Sequence, residues 1–242
     1  MMGISGLGFN RQANYTAQMV TYMGQSNYFT VLGGRPVYYI FVDVQPTSAN
    51  GYPSGWATLA SAITGLKNAA TLAGIGVPYV VLMEFSASGA FADYTSLGAD
   101  AISSYTNFTW GTYSGLVTST ENLWTAYANT GAPFIPFAVM GGDTRPRNAF
   151  PASYNTPPLT PPFQAQNQAA FPPGTVAQRA AHAQDCINFV ANNPTKCPAN
   201  AMIMYAWTEC DEGGGCLIPT LGDPPQAGNT TNMLSALSSV FH

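Results

Sequence analysis

Five compact apolar runs set the terms for any fold of this chain. They are Arg35–Asp43 (RPVYYIFVD), Val77–Phe85 (VPYVVLMEF), Ala101–Tyr105 (AISSY), Ala132–Gly142 (APFIPFAVMGG) and Ala201–Glu209 (AMIMYAWTE). A strand with one face in water alternates apolar and polar residues. These runs are nearly continuous in hydrophobicity, which marks strands buried on both faces, as in parallel sheets. Parallel neighbours need long crossovers, usually helices. The sequence supplies them. Leu59, Ile63, Leu66 and Ala70 recur at helical spacing, as do Val176, Ala180, Ala183, Ile187 and Val190. Leu116, Leu123 and Tyr127 give a weaker stripe, and Tyr15–Tyr28 and Asn232–Phe241 also read as helices. The class is therefore α/β.

Charge excludes several functions. The chain has 7 Lys+Arg and 11 Asp+Glu, a net charge of -4, and only 7% charged residues. A nucleic-acid partner needs a basic stripe, which seven scattered cations do not make. No run reaches the roughly 18 apolar residues of a membrane-spanning helix. Aromatics at 12% with a small net charge argue against disorder. A surface covered by uncharged polar groups suits an extracellular protein, and the sequons at Asn14, Asn107 and Asn229 are compatible with secretion. Met1–Gly8 has neither the basic start nor the apolar stretch of a signal peptide. The expectation is a secreted protein truncated at its N-terminus.

Cys186, Cys197, Cys210 and Cys216 all lie in the last quarter of the chain. An even, clustered set suggests two disulfides. Sequence-local pairing would join Cys186 to Cys197 and Cys210 to Cys216, with three connectivities open. The spacings do not match the short paired knuckles of zinc sites, so no metal is expected, and no cofactor either. Asn148–Thr175 carries seven prolines and few aliphatics. This Pro-rich loop, 148–175, follows a strand and could cover the mouth of a site or simply decorate the surface.

The acids are few enough to place one by one. Asp43 ends the first run, Glu84 sits near the end of the second, and Asp143 follows the fourth. Glu209, Asp211 and Glu212 follow the fifth, so six of the 11 acids gather at the C-terminal ends of expected strands. That edge is where parallel α/β folds build their sites. Asp43 and Asp143 could instead cap the helices that follow. The triple is followed by glycines rather than a helical run. Glu209 and Glu212, three positions apart, fall near the separation used by paired-carboxylate glycosidases. Trp207 is either a stacking face for a sugar ring or a core residue.

The run Ala206-Trp207-Thr208-Glu209-Cys210-Asp211-Glu212-Gly213, followed by Leu217-Ile218-Pro219, resembles the N-E-W-x-E-G … E-P signature of the family 99 glycoside hydrolases, the endo-α-mannosidases. It is similar also to the family 71 α-1,3-glucanases and to secreted relatives with a Y-A-W-N-E-x-D-E-G-G run. Val139-Met140-Gly141-Gly142-Asp143-Thr144-Arg145-Pro146-Arg147 looks like their G-W-D-x-R-P-R element. Val31 to Phe41 is similar to their L-x-G-R-P-L-V-Y-I-F strand entry, and Leu97 to Tyr105 is a weaker match. Thr208 stands where the family has Asn, and Gly142 where it has Trp, which removes a forked hydrogen-bond partner and a stacking platform.

The resemblance implies a (β/α)8 TIM-barrel type fold, retention of configuration, no metal, and an oligo- or polysaccharide substrate with α-linkages. Glu212 would be the general acid and then the base towards water, and Glu209 would assist from the other side. Asp43, Glu84, Tyr105, Asp143, Arg145 and Trp207 are the candidate substrate-binding residues. Arg145 could equally form a structural ion pair. In the family the G-R-P strand falls at mid-barrel, whereas here it arrives at residue 35. Five units in 242 residues is about 48 each, so eight would need roughly 390. We therefore expect residues 1–242 to form a single partial barrel domain with about five βα units. The alternative is a non-catalytic carbohydrate-binding protein, or a remnant of such an enzyme.

Overall fold

The computed structural model describes residues 12–42, 56–107, 111–143, 170–171, 174–205 and 232–240. In chain order they form α1 (Gln12–Met23), β1 (Thr30–Val31), β2 (Arg35–Phe41), α2 (Trp56–Leu72), β3 (Tyr79–Met83), α3 (Ala87–Leu97), β4 (Ala101–Ser103) and α4 (Tyr113–Ala128). Then follow β5 (Phe137–Val139), β6 (Gly142–Asp143), β7 (Ala170–Phe171), α5 (Val176–Asn192), β8 (Ile203–Tyr205) and α6 (Asn232–Ser238). Each of the five apolar runs contains a strand: β2, β3, β4, β5 and β8. The described residues fall into two compact units. The first holds those of Met1–Tyr105, Thr125–Pro136 and Val190–Ala201; the second those of Thr106–Trp124, Phe137–Phe189 and Met202–His242.

The first unit is built on a sheet of order β1-β2-β3-β4. β2, β3 and β4 are parallel, in a register that sets Phe41, Met83 and Ser103 level at their C-terminal ends. Every residue of β3 and β4 is buried, as continuous apolar runs require. Antiparallel β1 pairs only with the start of β2. The turn between them runs through Leu32, Gly33 and Gly34, all at positive φ, and glycine makes that conformation cheap at two of the three. Beyond β4, Phe134 adds a parallel bridge to Ile102. Met19 and Met23 of α1 and Leu59, Ile63, Leu66 and Ala70 of α2 join Tyr38, Ile40, Val80 and Leu82 of the sheet in one apolar core.

The N-terminal edge of this sheet is tied by charge. Asp100 receives Arg35 at 2.6 Å and Lys67 at 2.7 Å, and Val80 N–H donates to it at 3.0 Å. Arg35 also donates to the carbonyls of Val77 and Pro78. Burial alone would raise the Asp100 carboxyl, but its hydrogen bonds from Lys67, Arg35 and Val80 outweigh that and hold it below the usual carboxylate range. The Arg of the Gly-Arg-Pro run and the acid of Leu97–Tyr105 are thus a structural clamp.

In the second unit, β5 pairs in parallel with β8, and β6 in antiparallel with β7. Trp124 Nε1–H donates to the Phe137 carbonyl at 2.8 Å. α5 opens with a reciprocal cap. Gln178 N–H donates to Thr175 Oγ1 at 3.2 Å, and Thr175 N–H donates to Gln178 Oε1 at 2.9 Å. This cap ends the Pro-rich loop, within which β7 forms a short ribbon strand; apart from β7, Gly174 and Thr175, that loop lies outside the described residues.

At four places the structure adds to or corrects the expectations. The described strands form sheets of four, two and two strands, and no closed barrel is present among the described residues. α3 was not legible as a helix: its buried stripe is Ala90, Asp93 and Leu97, with an acid in the middle. The buried face of α5 is Arg179, His182, Ala183, Cys186 and Val190, so two basic side chains replace the expected Val176, Ala180 and Ile187. No disulfide joins Cys186 to Cys197. α5 continues to Asn192, a rise of about 9 Å beyond Cys186. The turn that follows holds Cys197 N–H on the Asn193 carbonyl at 2.8 Å. Cys210 and Cys216 lie outside the described residues. The Asn107 sequon nitrogen is engaged, donating to Ser119 Oγ and Thr120 Oγ1 at 3.1 and 3.2 Å. No helix among the described residues is long and apolar enough to cross a membrane.

Candidate functional site

The C-terminal ends of β2, β3 and β4 bring chemistry to one edge of the first unit. Phe41 closes β2, Glu84 and Phe85 follow β3, and Tyr105 follows β4 by two residues. The Phe41 ring meets Phe85 edge-on, centroids 5.4 Å apart, and tilts against Tyr105 at 5.1 Å. Phe85 is 49% exposed and Phe91, on α3, is 37% exposed. Aromatic rings left open at a strand edge, next to a carboxylic acid, are a surface on which a sugar ring can stack while its hydroxyls bond to the acid.

Glu84 is held at both ends. Its N–H donates to the Ser103 carbonyl at 3.1 Å, and its carbonyl accepts from the Tyr127 hydroxyl at 2.5 Å. Tyr127 is buried and stacks on Phe134, centroids 5.2 Å apart. The Glu84 side chain folds over the first turn of α3. A Cβ on Gly89 would lie 2.2 Å from Glu84 Oε2, so any other residue there would push the carboxyl aside. Ser86 caps the same helix, accepting from Gly89 N–H at 2.9 Å. One turn on along the same helix, Asp93 is buried. Burial first, and then Asp93, push Glu84 up to about 8. A glutamic acid in this state can donate a proton near neutrality.

The second unit has its own buried polar group. His182 stacks on Trp124 with centroids 5.4 Å apart and planes 6° from parallel, and its Nδ1 is 3.8 Å from Glu121 Oε1. Burial pushes His182 down to about 4, so it is neutral. Buried Arg179 lies near Tyr113, whose hydroxyl donates to the Val139 carbonyl at 3.3 Å. Gly174 must be glycine, because a Cβ there would lie 2.4 Å from the Tyr113 ring.

The structure brings Glu84 and Tyr105 to one edge. Asp143 closes β6, at the C-terminal side of β5. Asp43, Arg145, Trp207, Glu209 and Glu212 lie outside the described residues. Phe41, Phe85, Gly89, Asp93 and Tyr127 were missed from sequence. Phe85 adjoins Glu84 and could have been found by its place at the strand end. Asp93, Gly89 and Tyr127 carry no such mark, since only the fold sets them beside Glu84. Among the described residues no group of three or more His, Cys, Asp or Glu is placed to hold a metal ion.

No family model and no curated protein sequence matches the chain. Solved structures do match. A GH99 endo-α-mannosidase from Bacteroides thetaiotaomicron is 14% identical, with a TM-score of 0.52, over 95% of this chain and 60% of its own. A second structure described under the same name, in complex with bis-tris-propane, is 15% identical with a TM-score of 0.49, over 95% of this chain and 62% of its own. The chain thus spans about three fifths of the length of the solved structures it matches. At this identity the likeness is one of fold: the chain shares a mixed α/β architecture with the first of these glycoside hydrolases.

Proposed function

We propose that the protein is a secreted glycoside hydrolase acting on α-linked glycans, α-mannan or α-glucan, with retention of configuration. The observation that carries this reading is the edge formed by Glu84, Phe41, Phe85 and Tyr105 at the C-terminal ends of three adjacent parallel strands. Such an edge is where α/β folds place ligands. The fold likeness to a GH99 endo-α-mannosidase and the ordered sequence resemblances support it.

In this reading Glu212 protonates the leaving glycosidic oxygen as the C1–O bond breaks, while Glu209 takes the proton of the sugar 2-hydroxyl, whose oxygen closes on C1. Glu212 then takes a proton from the water that attacks C1, the C1–O2 bond breaks, and Glu209 returns its proton to O2. Trp207, Tyr105, Asp43, Glu84, Asp143 and Arg145 bind the substrate. The test replaces Glu209 and Glu212 separately by Gln and measures oligosaccharide release from α-mannan and α-1,3-glucan. We expect release by the native protein and a loss of at least about a hundredfold in each variant. The second reading, a non-catalytic glycan binder, is favoured by the aromatic edge alone, which needs no chemistry to hold a sugar. It wins if native protein and variants release nothing while all still bind glycan.

A further inference from the structure

Resting on that glycan reading, we infer that Tyr127 is a positioning residue: its buried hydroxyl, by holding the Glu84 carbonyl, fixes the corner after β3 and so presets the Glu84 carboxyl and the Phe85 ring for a saccharide on the Phe41–Phe85–Tyr105 edge. Three contacts carry this. The Tyr127 hydroxyl donates to the Glu84 carbonyl at 2.5 Å. The ring that bears it stacks on Phe134, centroids 5.2 Å apart, and Phe134 is itself pinned, its N–H donating to the Lys196 carbonyl at 2.7 Å. On the other side Glu84 N–H donates to the Ser103 carbonyl at 3.1 Å, and the Ser103 hydroxyl donates to the Ile135 carbonyl at 2.7 Å.

β3 ends at Met83 and α3 begins at Ala87, so Glu84, Phe85 and the cap Ser86 are the whole corner. A strand that stops must find other partners for its last backbone groups. Here a side chain from α4 takes the Glu84 carbonyl, and the bond draws on the backbone of Glu84 rather than on its carboxyl. Phe85, next in the chain, is 49% exposed with its ring edge-on to Phe41. Tyr28 and Trp124 make the same kind of bond, to the carbonyls of Val37 at 2.9 Å and Phe137 at 2.8 Å. Val37 and Phe137 are buried, so those two bonds fasten core strands. Glu84 is half-buried at the open edge, so its bond also aims side chains that a ligand can reach. Groups already held in the bound arrangement lose less freedom on binding, which raises affinity.

The experiment uses the full chain. Tyr127→Phe removes the hydroxyl and keeps the ring that stacks on Phe134. Tyr28→Phe is the control, because it removes the same kind of bond from the opposite, N-terminal end of the same sheet. Calorimetry well below the melting temperature measures binding of α-linked mannotetraose and of an α-1,3-linked glucotetraose. Affinity should fall about fivefold in Tyr127→Phe, the equivalent of one ordinary hydrogen bond, and stay at the native value in Tyr28→Phe. Both variants should melt at a lower temperature, so a merely structural Tyr127 would leave affinity unchanged in both. In parallel, 15N relaxation of the native protein follows the Glu84 and Phe85 amides without glycan. They should be as rigid as β3, with order parameters of about 0.85. The inference is overturned if Tyr127→Phe binds as tightly as the native protein, or if Tyr28→Phe loses as much affinity. It is overturned also if Glu84 and Phe85 are mobile in the free protein and become ordered only with glycan, which the native protein decides even if Tyr127→Phe does not fold. If the native protein binds neither tetrasaccharide, the glycan reading fails, and the positioning role fails with it. If the native protein binds and Tyr127→Phe matches it, the positioning role fails alone.

Discussion

Replacing Gly89 by alanine sets two effects of opposite sign against each other. Gly89 lies in the helical part of α3, with ordinary helical backbone, so alanine there should stabilise by up to about 1 kcal/mol. The new Cβ, however, would lie 2.2 Å from Glu84 Oε2 and 3.2 Å from its Cδ. No heavy atoms tolerate 2.2 Å, so the carboxyl must swing off its seat over α3. Giving up that half-buried seat costs about 1–3 kcal/mol. The net effect of Gly89→Ala is therefore a loss of about 1 kcal/mol. In a Glu84→Ala background the Glu84 obstacle is gone, and the same substitution should be about 2 kcal/mol more favourable than in the native protein. Ser86 Oγ, 2.9 Å from the same Cβ, is present in both backgrounds and cancels in the comparison. The coupling between the two positions is then about 2 kcal/mol. Thermal unfolding of the four proteins reads it directly. For a chain of 242 residues, 1 kcal/mol moves Tm by about 2–4 °C, so the Gly89→Ala shift should differ between the two backgrounds by about 4–8 °C, less favourable where Glu84 is present. Equal shifts of the same sign in both backgrounds would refute the seat of Glu84 over α3.

Two more predictions concern stability. His182 falls from 6.5 in the unfolded chain to about 4 when folded. Its contribution is complete above pH 6.5 and is lost as pH drops from 6.5 towards 4, about 3 kcal/mol in all. Glu84, raised from 4.5 to about 8, acts in the other sense: its contribution is complete below 4.5 and is lost as pH rises through 8. Urea melts of native protein and His182→Phe between pH 4 and 7 isolate the histidine. The native-minus-variant difference should shrink towards acid, and a flat difference would contradict the buried neutral imidazole. Asp100→Asn strips the carboxylate from Arg35 and Lys67 and should cost about 2 kcal/mol at pH 7 by urea titration. Because the folded Asp100 is held below its usual range, that difference should shrink as pH falls below the ordinary Asp value. A variant as stable as the native protein would show that the clamp is idle.

The strands were legible because burial on both faces leaves a run of apolar residues that few other structures produce. β3, with all five residues buried, is the clearest case. Helices were legible only where their buried stripe is apolar, as in α2. α3 hides an acid in its stripe, and α5 hides Arg179 and His182, so apolar spacing either missed the helix or misplaced its face. β6 and β7, two residues each, carry no pattern at all. Glu84 stood out in a chain of low charge because it closes a strand. Asp93 did not, because its meaning comes from Gly89 and from where α3 packs. Pairing Cys186 with Cys197 followed sequence distance, but the helix that carries Cys186 runs on past it.

The most direct test of glycan hydrolysis follows the anomeric protons by NMR as native protein is mixed with α-mannan or α-1,3-glucan oligosaccharides. The account predicts that the first product to appear is the α-anomer, ahead of mutarotation, and that Glu209→Gln and Glu212→Gln each suppress it. A β-anomer appearing first would contradict the retaining mechanism. No product from either glycan would contradict the enzyme itself.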